Sequence, residues 1–124
     1  MRLNERDAAY LWDMMEAAKT VREFTSGLSF QSYERDKKLR LAVERSIGII
    51  GEAAAKVSKE FRESHPEITW KGIIGQRNVL IHEYGEIKHE RIWAVATNRI
   101  PELIKALEPL IPVLPDPESV QDKR

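Results

Sequence analysis

LRLAVERSIGIIGEAAAKVSKEF, residues 39 to 61, decides the fold. Within it Leu39, Val43, Ile47, Ile50, Ala54, Val57 and Phe61 recur at steps of three and four, which lays one apolar stripe along a helix. The opposite face carries Lys38, Arg45, Lys56 and Lys59, so this helix has a core side and a water side. Gly51 and Glu52 interrupt the stripe. Gly51 reads as a place where another helix comes close, and Glu52 either pairs with Arg77 or is simply solvated. Lys38, Arg40 and Arg45 read as a solvated face that could alternatively line the path of a polyanionic ligand.

Working outward, a preceding helix begins after Asn4, which can cap it with Asp7 in the first turn. Leu11, Met15, Ala18 and Val21 form its buried stripe, and Gly27 suits the left-handed turn at its end. After the central helix, FRESHPEIT breaks the pattern, with Ser64, Pro66 and Glu67 starting a short turn. A third helix is expected from Trp70 to Tyr84, stopped by Gly85 and weakened at Gly72 and Gly75 by about 1 kcal/mol each relative to alanine. A fourth runs from about Lys88 through Ile92, Val95 and Ala96, then past a kink at Pro101 to Leu103, Ile104 and Leu107. No stretch alternates as a strand between hairpin turns. The fold class expected is therefore all-α, an antiparallel four- to five-helix bundle, with one domain over residues 1–112 and a flexible tail over 113–124.

Composition narrows the function. The chain has 124 residues, the size of one domain, and its 20 basic side chains balance 20 acidic ones, so any anion binding must be local rather than driven by a global field. It has no cysteine, which excludes disulfides and thiolate metal sites. No apolar run is long enough for a signal peptide or a membrane span, and a cytoplasmic address without membrane contact is the expectation. Its histidines, His65, His82 and His89, lack a zinc-site spacing, and no phosphate loop or nucleophile elbow is present.

Chemistry concentrates in QRNVLIHEYG, residues 76 to 85, where Arg77, Asn78, His82 and Tyr84 interrupt an apolar helix. On a regular helix Arg77 and Tyr84 are nearly in line, Asn78 and His82 lie one above the other, and the pairs are about a third of a turn apart. All four can border one cleft. Histidine can take and return a proton near neutrality, and arginine offers a rigid fork of donors to phosphate oxygens. The set suits cleavage of an RNA phosphodiester by its own 2′-hydroxyl. Spacing alone also allows the plainer reading, a hydrogen-bonded histidine with no catalytic role. Trp70 and Trp93 read as core or dimer-interface residues, with stacking on an RNA base the alternative.

RNVLIHEY resembles the Arg-x4-His-x-Tyr motif of the HepT-like toxins, a branch of the HEPN superfamily. IGIIGEAA, ITWKGIIGQRN and RIWAVATNRIPELIKAL are similar to that family's second helix, motif lead-in and fourth helix. The resemblance implies a metal-independent endoribonuclease, acting without a cofactor as a homodimer whose two motifs face one cleft. It also implies a cognate minimal nucleotidyltransferase antitoxin that uses ATP to transfer AMP onto the motif tyrosine, a type VII system. By position, Arg77 and His82 would be catalytic, Asn78 supporting, and Tyr84 the modified residue. The alternative within the same fold is a non-catalytic HEPN protein that binds a nucleotide or serves as structural partner of a nucleotidyltransferase. A dimeric scaffold without ligand is a third.

Overall fold

A computed structural model describes residues 4–82 and 88–111, the side chains of 77–82 excepted. Helix α1 (Glu5–Thr25) begins as its sequence requires: Asn4 Oδ1 accepts from the Asp7 amide at 2.7 Å. Leu11, Met14, Met15, Ala18 and Val21 are buried along one side, the four larger side chains each contributing about 1.5–3 kcal/mol of apolar transfer. The helix ends at Ser26, and Gly27 follows with φ at +76°, a conformation that disfavours any residue with a Cβ.

Helix α2 (Phe30–Arg35) is too short for periodicity to reveal. Its cap is local, the Ser29 hydroxyl accepting from the Ser32 amide at 3.1 Å. It brings Tyr33 beneath Trp93, with ring centroids 5.2 Å apart, and Phe30 to 6.4 Å from the same indole. Helix α3 (Lys37–Lys56) is capped by Asp36, whose carboxylate accepts from the Leu39 amide at 3.0 Å. Val43, Ile47, Ile50, Gly51 and Ala54 are buried on it, while Lys38, Arg45 and Lys56 stay exposed, as the stripe predicts.

The expected continuation of that helix to Phe61 is corrected by the structure. The chain breaks at Val57 and Ser58, and a separate helix α4 (Lys59–Ser64) follows. Asp7 supplies the reason: one carboxylate oxygen accepts from the Ser58 amide at 2.8 Å and the other from the Ser58 hydroxyl at 2.6 Å. Ser58 Oγ in turn accepts from the Phe61 amide at 3.2 Å, so the residue serves as a cap and not as helix interior. Val57 and Phe61 are buried on either side of the break, which is why the apolar pattern runs through it unchanged.

Helix α5 (Trp70–His82) is followed, beyond residues 83–87, by α6 (His89–Ala94), a π turn (Val95–Arg99), α7 (Ile100–Leu107) and a 3₁₀ turn (Glu108–Leu110). The disturbance expected at Pro101 takes the form of that π turn just before it. Proline has no amide to donate and its ring crowds the carbonyl four residues back. The wider turn, in which the Ile100 amide reaches the Val95 carbonyl, makes room for it. Helix α3 lies between α1 and α5, α7 packs on α1, and Ile92, Ala96, Ile100, Leu103, Ile104 and Leu107 complete the core. The described residues contain no strand, and the result is the all-α bundle expected.

Tyr33 is fully buried, and its hydroxyl has no hydrogen-bond partner among the described residues. Burial, reinforced by the nearby Glu44 carboxylate and opposed by Arg40, pushes its pKa well above the ordinary value. Below about pH 10 both folded and unfolded chains keep the phenol proton, so stability is unaffected. Above it the unfolded chain ionises first, and stability falls by up to about 1.4 kcal/mol per pH unit. Tyr33→Phe should remove this part of the alkaline loss, and at neutral pH should be neutral or stabilising because the orphan hydroxyl is gone. Urea unfolding of both proteins from about pH 7 to about pH 11 measures it. Identical alkaline slopes would show that Tyr33 is not responsible.

Candidate active site

The backbone of Arg77, Asn78 and His82 lies within α5, a helix that runs unbroken from Trp70 despite Gly72 and Gly75. Its start is anchored by Trp70, whose indole nitrogen donates to the His65 carbonyl at 3.0 Å and whose ring meets Phe61 edge-on at 6.3 Å. Arg77 and His82 are therefore five residues apart on one rigid element, about 7.5 Å along its axis. Their side chains and that of Asn78 lie outside the described residues, as do Tyr84 and Gly85. Glu52, considered above as a partner for Arg77, approaches Arg45 at 3.9 Å on an exposed surface.

The described half of α5 borders a half-open cavity of about 830 Å³, whose other walls come from α3, α4, the 66–69 turn, the π turn and α7. Aliphatic side chains such as Ile50, Ile73 and Leu103 form its floor. Arg62, Lys71 and Arg99 supply positive charge, and Glu67 and Glu102 negative charge. Glu67 faces His65 Nδ1 at 3.0 Å, and its own backbone hydrogen bond, with that of His65, holds its carboxyl below the usual range. Gln76, next to Arg77, also lines the cavity. Arg62 Nε and Gln76 Nε2 are both buried without a hydrogen-bond partner among the described residues. A shallower cavity of about 570 Å³ shares Arg62, Trp70 and Lys71 with the first and adds Lys59.

Sequence reasoning did not single out Arg62, Gln76 or Arg99. Gln76 carried a usable signal, a polar residue leading directly into the motif. Arg62 and Arg99 carried none, because a single arginine in a short helix or an irregular turn has no pattern. Trp70 is 8% exposed and belongs to the core. Trp93 is half-buried against Phe30 and Tyr33. No group of three His, Cys, Asp or Glu side chains that could hold a metal ion occurs among the described residues. None of their helices is long and apolar enough to cross a membrane.

The fold is an all-α bundle that carries the Arg77 and His82 positions on one helix, α5, packed against α3. The family model described as Ribonuclease HepT-like matches residues 14–110, from the middle of α1 to the turn after α7. The chain belongs to that family. It is 37% identical over 101 residues to a protein of Thermococcus cleftensis named "Probable ribonuclease HepT", covering 82% of this chain and 92% of the relative. It is 38% identical over 103 residues to a protein of Methanocaldococcus jannaschii named "Putative RNase MJ0127", covering 83% of this chain and 85% of that one. No solved structure matches.

Proposed function

We propose that the chain is an endoribonuclease that cleaves RNA without a metal ion, through Arg77 and His82. The observation that carries this reading is the family match, which spans the helix on which these two residues stand five apart. The 2′-hydroxyl oxygen attacks the adjacent phosphorus, the bond to the 5′-oxygen breaks, and a 2′,3′-cyclic phosphate remains. Imidazole takes the proton from the nucleophile and supplies one to the leaving oxygen, while guanidinium binds the phosphate oxygens as charge builds there. One His82 per chain favours a homodimer, which brings two motifs to one cleft so that one imidazole accepts while the other donates. Asn78, one turn before His82, orients the imidazole or binds a phosphate oxygen.

The wider assignment is to the toxin of a type VII HEPN and minimal nucleotidyltransferase pair, acting in the cytoplasm and silenced when its partner uses ATP to place AMP on Tyr84. A bulky anion there, seven residues beyond Arg77 in the sequence, fills the phosphate subsite and neutralises its cation. Cleavage should persist in excess EDTA, and a strand with a 2′-deoxy unit at the cut site should resist cutting. Mass spectrometry of the products should find the cyclic phosphate. Activity that EDTA abolishes, or that survives on the deoxy strand, excludes this chemistry.

A further inference from the structure

We propose that the cavity beside α5 is a subsite for one unpaired nucleotide of the RNA strand, Arg62 taking a phosphate oxygen and Gln76 the edge of the base. The proposal rests on the ribonuclease reading and adds to it a place where substrate is held away from the cleaved bond. Its volume of about 830 Å³ is within the range of sites that enclose small ligands. The walls combine what a nucleotide needs: aliphatic surface for the base, and donors for the rest.

The buried donors select the ligand. Arg62 Nε and Gln76 Nε2 have no acceptor among the described residues and are closed to solvent in this conformation, an unfavourable arrangement that rotation of either side chain into the cavity relieves when an acceptor is there. A phosphate oxygen satisfies the first in a charge-assisted bond, and a base carbonyl or ring nitrogen satisfies the second. Lys71 and Arg99 add positive charge at the same cavity, against Glu102 and a Glu67 already engaged with His65. An apolar peptide face would leave both donors buried against hydrocarbon. The shallower neighbouring cavity continues this surface past Arg62 to Lys59, whose ammonium lies 3.9 Å from the Glu63 carboxylate on the same wall.

Register relates the subsite to the motif. Gln76 immediately precedes Arg77 and stands six residues before His82, about 9 Å along the axis of α5. At about 3.4 Å per nucleotide in a stacked strand, this spans about two to three units. One RNA strand can thus reach the motif and the cavity together.

Anisotropy titration of a short, labelled 2′-O-methyl RNA strand tests the subsite, because that strand binds without supplying a nucleophile. Arg62→Met keeps the aliphatic stem and removes the donor, and Ala106→Leu narrows the cavity at its α7 wall without changing charge. Each should weaken binding about tenfold or more. Wild-type affinity in variants shown to be folded by circular dichroism overturns the proposal, and if Arg62→Met does not fold, Ala106→Leu decides. A protein that cleaves RNA while both variants bind normally loses the subsite and keeps the ribonuclease reading. Arg62-dependent binding in a wild type that cleaves nothing does the reverse. A fall in solution mass for Ala106→Leu with unchanged RNA affinity marks an interface between copies, and overturns the subsite.

Discussion

His82→Ala should lower RNA cleavage by about 10²–10⁴-fold, the range associated with a positioned general acid or base. No other histidine of this chain stands in the motif helix. His65 is in the turn before α5, tied to Glu67 at 3.0 Å, and His89 begins α6. Neither replaces a proton carrier at position 82 without moving an element. Arg77→Ala should cost about 10²–10³-fold, as loss of a preorganised donor to developing charge does. A single-turnover assay on a defined RNA measures both. Cleavage at the wild-type rate by the His82 variant would return the residue to an ordinary structural role and leave the non-catalytic HEPN reading in its place.

Tyr84→Phe should separate activity from control. Phenylalanine preserves the ring and removes only the oxygen that would receive AMP, so the variant should retain most of its cleavage. Incubated with the proposed nucleotidyltransferase partner and ATP, the wild type should gain one or more AMP units in intact-mass spectra and lose activity. The Phe variant should gain none and stay active. The size of the wild-type loss follows from charge placement: each AMP unit adds a phosphodiester anion that can form a bidentate pair with Arg77. An increment that survives the substitution would move the modification to another residue.

Much of the fold was legible because burial writes itself as period. Leu11, Met15, Ala18 and Val21, and then Val43 to Ala54, are buried where the stripes put them. Capping at Asn4 and the positive φ of Gly27 were legible from residue type alone. The break at Ser58 was not, because it depends on a carboxylate that lies far away in sequence and close in space. Helix α2 escaped for a different reason: one and a half turns cannot establish a period, and its cap at Ser29 resembles any serine in a polar loop. The motif could be read because its polar residues stand in an apolar run and resemble a family that the match confirms. Its cavity could not, since Arg62, Gln76 and Arg99 come from three elements that only tertiary packing brings together.

The bond pair from Asp7 to Ser58 also bears on how the chain is born. Synthesis delivers the N-terminal end first. Both partners of this 51-residue closure, together with all of α1 and α3, are present before Arg77 has been added. The scaffold that receives α5 can therefore be latched while the nascent chain is still inert. For a nuclease made on a ribosome, surrounded by RNA, that order keeps the reactive motif the late arrival, and the helices that complete the core, α6 and α7, later still.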